Sequence, residues 1–113
     1  MKDKTFTAEL PACVTAYFAA ANAGDAVAAA ASFAPDAVVH DENRTHRGPA
    51  TIAAWIEETS RKYQPVVEPL HWVSEAGRHR VTGKVSGAFP GSPVELDFEF
   101  TVADGKILQL AIQ

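Results

Sequence analysis

Apolar residues recur at helical spacing over the first half of the chain and at every second position from Val66 onward, so a helical part precedes a strand part. Leu10, Cys13, Val14, Tyr17, Phe18 and Ala21 share one stripe at i, i+3, i+4, i+7 and i+8, which predicts a first helix. Asn22-Ala23-Gly24 predicts its end, with Gly24 suited to a left-handed C-terminal position. Asp25 is placed to cap a second helix whose face is Val27, Ala30, Ala31 and Phe33, and Pro35 is expected to close it. A short strand at residues 37 to 42 follows, then a turn rich in polar residues. Pro49 suits the first position of a third helix, with Ile52, Trp55, Ile56, Thr59 and Tyr63 on one face and Pro65 at its end.

Strands are expected at roughly 66 to 74, 78 to 89, 94 to 103 and 106 to 112. Gly77, the run Pro90-Gly91-Ser92-Pro93 and Asp104-Gly105 separate them, the last a hairpin signal. In the third of these strands Val94, Leu96, Phe98, Phe100 and Val102 alternate with Glu95, Asp97, Glu99, Thr101 and Ala103, so one face is buried and the other polar. Helices gathered before consecutive antiparallel strands give an α+β domain with its helices on one face of a curved sheet. Gly83 and Gly87 are candidates for the bends that curl it.

The 113 residues suffice for a single hydrophobic core. A hydrophobic content of 47% and a charged content of 21% mark an ordinary globular chain rather than a disordered one. The net charge of -4, without any dense Lys/Arg run, argues against nucleic acid and anionic membranes as partners. Cys13 is the only cysteine, Lys2 and Lys4 are followed by TFTAELPAC instead of an apolar signal core, and no apolar run reaches membrane-span length, so the expected location is the cytoplasm. Four scattered histidines without HxH or HxxxH spacing predict no metal site, and the lack of a glycine-rich phosphate loop predicts no nucleotide cofactor.

Residues 36 to 48, DAVVHDENRTHRG, carry the most informative change of character: Ala37, Val38 and Val39 run straight into His40, Asp41 and Glu42. Asp41 shares a strand face with Ala37 and Val39, whereas His40 points the other way. Asp41 therefore either enters a pocket as a carboxylate or caps a turn and pairs with Arg44 or Arg47. Tyr17, on its apolar stripe, is either core or a donor to a ligand. Of His71 and Trp72, one faces inward and the other does not. His71 and His79 are candidate acid or base groups beside the ordinary reading of a structural strand histidine. Trp55 is expected to wall the pocket.

The segments YFAAANAGD (17 to 25), SFAPDAVVHD (32 to 41), HRGPATIAAWI (46 to 56) and VADGKILQLAI (102 to 112) resemble the nuclear transport factor 2-like superfamily, in particular its SnoaL-like and ketosteroid isomerase-like branches. The resemblance implies one SnoaL-like domain over residues 1–113, a cone in which three N-terminal helices pack on a curved, mostly antiparallel sheet around a cavity. It implies a homodimer through the outer sheet face and a small hydrophobic molecule as ligand. By resemblance to the isomerases, Asp41 takes the place of the general base and Tyr17 that of the oxyanion-stabilising donor. A carboxylate removes a proton beside a carbonyl while a hydroxyl steadies the enolate oxygen. A third, protonated acid of that site falls on Asp97 by ungapped counting or on Phe98 with a shorter hairpin, and alternation favours Phe98 inside. Trp55, His71, Phe98 and Phe100 are the expected ligand-contacting residues. Within this superfamily the alternative to an isomerase or cyclase-like enzyme is a non-catalytic binding or dimerisation module. With no segment after Gln113 to cover its mouth, the pocket is expected to be small and partly open.

Overall fold

The computed structural model describes residues 9–113, so the signal-peptide reading of the first residues lies outside it. Helix α1 (Ala12–Asn22) follows Pro11 and buries Cys13, Val14, Tyr17 and Phe18, the predicted stripe. It ends at Gly24, whose φ of 74° is a conformation that glycine adopts without strain. Asp25 then caps α2 (Ala26–Ala30), accepting a hydrogen bond from the Ala28 amide at 3.1 Å.

The second helix is shorter than its sequence pattern predicts. It buries Ala29 and Ala30, whereas Val27 is 79% exposed, and Phe33 and Pro35 belong to strand β1 (Phe33–Asp41). The physical reason lies in the pairing of β1. Its ladder with the last strand joins Phe33 to Ile107 and resumes only at Val38 with Gln109, so Pro35, which has no amide proton, falls in the irregular stretch between. An alanine-rich run imitates helical periodicity equally well on either side of that boundary.

The polar segment after β1 is a second strand, β2 (Arg44–Arg47), which the sequence reading treated as turn. Glu42 and Asn43 form the two-residue connection, with φ of 53° and 62°, the positive values a tight hairpin requires. Its sequence RTHR hides the strand because His46 alone is buried. Helix α3 (Pro49–Tyr63) begins at once, with Pro49 in its first turn and Gln64 left-handed at its end. Strands β3 (Val66–Glu75), β4 (Arg78–Ser86), β5 (Val94–Ala103) and β6 (Lys106–Ile112) complete the fold.

The six strands form one sheet in the order β2-β1-β6-β5-β4-β3, antiparallel except for the β1·β6 pair. Contrary to the expected grouping of all three helices before the sheet, α3 is inserted after the first hairpin. That insertion joins Asp41 and α3 through only a two-residue turn, β2 and Gly48. The inner face carries Val81 and Val85 of β4, Phe98 and Phe100 of β5, and Leu110 of β6, all buried. On them sit the rings of Tyr17 and Phe18, Phe18 lying 5.3 Å from Phe98 and 5.6 Å from Phe100 between centroids in edge-to-face geometry.

Gly83 faces Pro69, next to a register shift between Pro69 and His71. A Cβ at Gly83 would lie 2.8 Å from Val67 Cγ1 and 3.3 Å from a Phe98 ring carbon, so two strands approach where a side chain has no room. Gly87 lies beyond the end of β4, where the carbonyl of Tyr63 crosses it and accepts from the Ala88 amide at 2.7 Å.

Candidate functional site

The inner sheet face, α1 and α3 enclose an open-mouthed cavity of about 410 Å3. Its walls include Tyr17 from α1, Trp55, Ile56 and Thr59 from α3, and Leu96 and Phe98 from β5. Asp41, at the end of β1, and Glu42, in the following turn, bring carboxylates to it. Among the described residues, no Lys, Arg or His side chain lines it.

Hairpin geometry explains how Asp41 arrives there. Ala37 and Val39 are fully buried on the inward face of β1, and two residues further the same face presents Asp41. The carboxylate is half-buried, and its Oδ2 accepts a hydrogen bond of 3.2 Å from Trp55 Nε1. Among the described residues this hydrogen-bond partner is an indole, not Arg44 or Arg47, although Arg44 is its neighbour across the hairpin. Behind Trp55 lies His46, 6% exposed, its ring stacked on the indole with 5.5 Å between centroids and 27° between planes. Thr59 Oγ1 donates to the Trp55 carbonyl at 3.0 Å.

The electrostatics follow from burial. Loss of water pushes the Asp41 pKa above the ordinary aspartate value and the nearby Glu42 charge pushes the same way. The Trp55 donor, His46 and the Glu42 amide act against them without cancelling them. Tyr17, 5% exposed, has its pKa raised far above the usual phenol value, first by burial and then by Asp41, so it remains a proton donor at neutral pH. The His46 pKa is lowered, mainly by burial and next by Arg44, with Asp41 and Glu58 opposing.

Tyr17, Asp41, Trp55 and Phe98 all meet at this cavity. Two other expected contacts do not. Phe100 is buried in the core, 5.9 Å from the Tyr17 ring, and is absent from the cavity wall because the Tyr17 and Phe18 rings cover it. His71 is exposed on the outer face opposite Thr82. The register shift adds a residue at Leu70, which reverses the parity of the rest of β3, so Trp72 packs toward the core and His71 turns away. His79 does not line the cavity; its Nδ1 lies 2.7 Å from Ser74 Oγ.

Asp97 also lies on the outer face and accepts from Thr82 Oγ1 at 2.8 Å, while Phe98 lines the cavity. The position of a third cavity acid is therefore filled by a phenyl ring. On that outer face a larger depression of about 700 Å3 is lined by Val73, Arg80, Glu99 and Gln109, among others. Its lining includes the Arg80–Glu99 ion pair, Nε to carboxylate 3.4 Å, and neither Asp41 nor Tyr17. Among the described residues no group of three potential ligands could hold a metal, and no helix is long and apolar enough to cross a membrane.

Sequence reasoning missed Glu42 and His46. Glu42 reads in the sequence as the last residue of the strand at 37 to 42, on the face away from Asp41, whereas it lies in the turn that follows, and the signal for His46 was the inward parity of a strand too short and too polar to be noticed.

Comparison with known proteins agrees with this architecture. The SnoaL-like domain family matches residues 14–110. A candidate polyketide cyclase from Sinorhizobium meliloti is 43% identical, with 92% of this chain and 95% of that one covered and a TM-score of 0.88. A Catenulispora acidiphila protein with a ketosteroid isomerase-like fold, solved with trimethylamine, is 19% identical over 93% of this chain and 86% of its own, TM-score 0.83. A candidate polyketide cyclase from Pseudomonas putida is 24% identical over 91% and 89%, TM-score 0.77. No curated protein matches the chain. Inserted helix, shared sheet and family match lead to one assignment: the chain belongs to the SnoaL-like domain family, with a nuclear transport factor 2-like α+β fold.

Proposed function

We propose that the protein is a proton-transfer enzyme of isomerase or cyclase type, acting on a small hydrophobic carbonyl compound in the cavity between α1, α3 and the sheet. Asp41 is the base and Tyr17 the hydrogen-bond donor to the oxygen on which negative charge develops. The single observation that carries this reading is the half-buried Asp41 carboxylate beside a protonated Tyr17 in an otherwise largely apolar cavity. Desolvation raises the basicity of a carboxylate toward the working pH, and a donor in a dry site stabilises an enolate by several kcal/mol. Trp55 and Phe98 pack against the ligand. Among the described residues no cationic side chain lines the cavity, so its ligand is uncharged or cationic rather than a carboxylate.

The test is deuterium incorporation next to the carbonyl of a panel of small cyclic ketones and enones in heavy water, followed by proton NMR. Exchange by the wild type that Asp41→Asn abolishes and Tyr17→Phe slows supports the enzyme. Binding of the panel without any exchange supports the second reading, a ligand-binding module. Phe98 in place of a third acid favours that reading, as does the amine held by the Catenulispora relative.

The same reading makes residues 1–113 one domain, located in the cytoplasm and paired with a second copy through the outer sheet face. Support for pairing is the exposed Val73, which lies across the β3–β4 ladder from Arg80 and so beside the Arg80–Glu99 pair. Light scattering of the wild type against Val73→Glu tests it.

A further inference from the structure

His46 and Trp55 form a two-layer support under Asp41. Trp55 extends from α3 and gives its indole N–H to Asp41 Oδ2 at 3.2 Å. His46 comes from β2, opposite Val39, and covers the indole face at 5.5 Å with the planes 27° apart. Both are buried, so the stack has little room to turn. The indole can donate only one hydrogen bond, and it spends that bond on the carboxylate. Strand, turn, second strand and helix are consecutive, which makes the support one continuous piece of chain from Val39 to Thr59.

We propose that His46 and Trp55 are positioning residues for Asp41: the imidazole ring fixes the indole by stacking, and the indole N–H fixes the direction in which the carboxylate enters the cavity. The consequence rests on the proton-transfer reading, since a carboxylate with one oxygen held and its remaining lone pairs turned to the cavity abstracts from one direction. The lowered pKa of His46 accords with a neutral ring used for its flat face rather than its charge. Other charged or titratable groups near Asp41 are Tyr17 on α1, Glu42 in the turn, Arg44 on β2 and Glu58 on α3, and the variants below leave all four in place.

The experiment needs no substrate, so its failure is separable from failure of the enzyme reading. Side-chain carboxyl carbon and indole nitrogen–proton resonances are followed through an acid titration of the whole chain, with Trp55 and Asp41 assigned by Trp55→Phe and Asp41→Asn. The indole resonance of Trp55 is expected to move with the midpoint of Asp41, and Trp55→Phe is expected to move the Asp41 midpoint upward. His46→Ala is expected to weaken the indole response, and His46→Phe, which keeps a flat ring without charge, to restore it. An indole resonance that stays fixed while Asp41 titrates overturns the proposal even if Trp55→Phe fails to fold. Equal indole responses in His46→Ala and wild type overturn the role of His46. Where turnover has been found, His46→Ala should lower kcat with little change in KM, and His46→Phe should recover it.

Discussion

Trp55 Nε1 lies 3.2 Å from Asp41 Oδ2, so an indole from α3 holds the carboxylate that β1 delivers to the cavity. The bond joins helix to hairpin at the point where the chemistry is proposed, and it gives Asp41 a partner that favours its charged form without adding a positive charge. Burial still wins, since the Asp41 pKa stays above its ordinary value.

The raised pKa fixes a sign for stability against pH. A folded-state pKa above the unfolded value means that the native chain binds its proton more tightly. The Asp41 contribution is therefore fully present below about pH 3.9, the unfolded aspartate value, and is lost as pH rises through the higher folded pKa. Asp41→Asn, which keeps an oxygen for the Trp55 donor, should unfold at a higher temperature than wild type at pH 7. The two melting curves should converge on acidification, and calorimetry across that range checks both statements.

Ligand charge gives a second prediction. Asp41 and Glu42 both reach the cavity, and among the described residues no basic side chain lines it. Cyclohexanone and cyclohexanecarboxylate are of similar size, so a difference between them reads charge. Titration followed by the protein's NMR shifts should give a carboxylate affinity at least about tenfold weaker, or roughly 1.4 kcal/mol. Glu42→Gln should narrow the gap. Equal binding of both probes in wild type would show that the acidic pair does not select.

Much of this fold could be read in the sequence because its apolar periods are unambiguous where both faces of an element differ. α1, α3 and the strand boundaries of β5 and β6 follow from spacing, and Asp41 follows from the parity of Ala37 and Val39. Failures fall where a local irregularity resets the period. The β1·β6 register shift lets Pro35 sit inside a strand, and the extra residue at Leu70 turns His71 outward. His46 and β2 escaped notice because one buried residue in four leaves no alternation to read. The Asp41–Trp55 bond joins residues fourteen apart through tertiary packing, which no local pattern encodes.

Removal of Trp55 should cost more than a hydrogen bond. Its ring is buried against His46 and supports the cavity wall. Trp55→Ala should destabilise the fold by about 3 to 5 kcal/mol, the range for deleting a large buried aromatic side chain. Trp55→Phe, which keeps most of the apolar area, should cost clearly less, and urea unfolding of the pair measures the difference.

Gly83 makes the close approach of β3, β4 and β5 possible, and its substitution tests how tightly the sheet is packed behind the cavity. A methyl group there meets Val67 Cγ1 at 2.8 Å, inside any tolerable contact, and Phe98 at 3.3 Å. Valine is branched at Cβ and cannot swing aside, so the strain must be relieved by moving β3 or the Phe98 ring. Gly83→Ala should therefore destabilise the fold by about 1 to 3 kcal/mol in urea. Val67→Ala in the same chain removes the nearer clash and should recover part of that loss, whereas in the wild-type background it only empties space and should destabilise. Opposite signs for one substitution in the two backgrounds are the mark of a direct contact. If Val67→Ala destabilises both chains equally, β4 has shifted as a unit and the inner face at Phe98 is more plastic than its packing indicates.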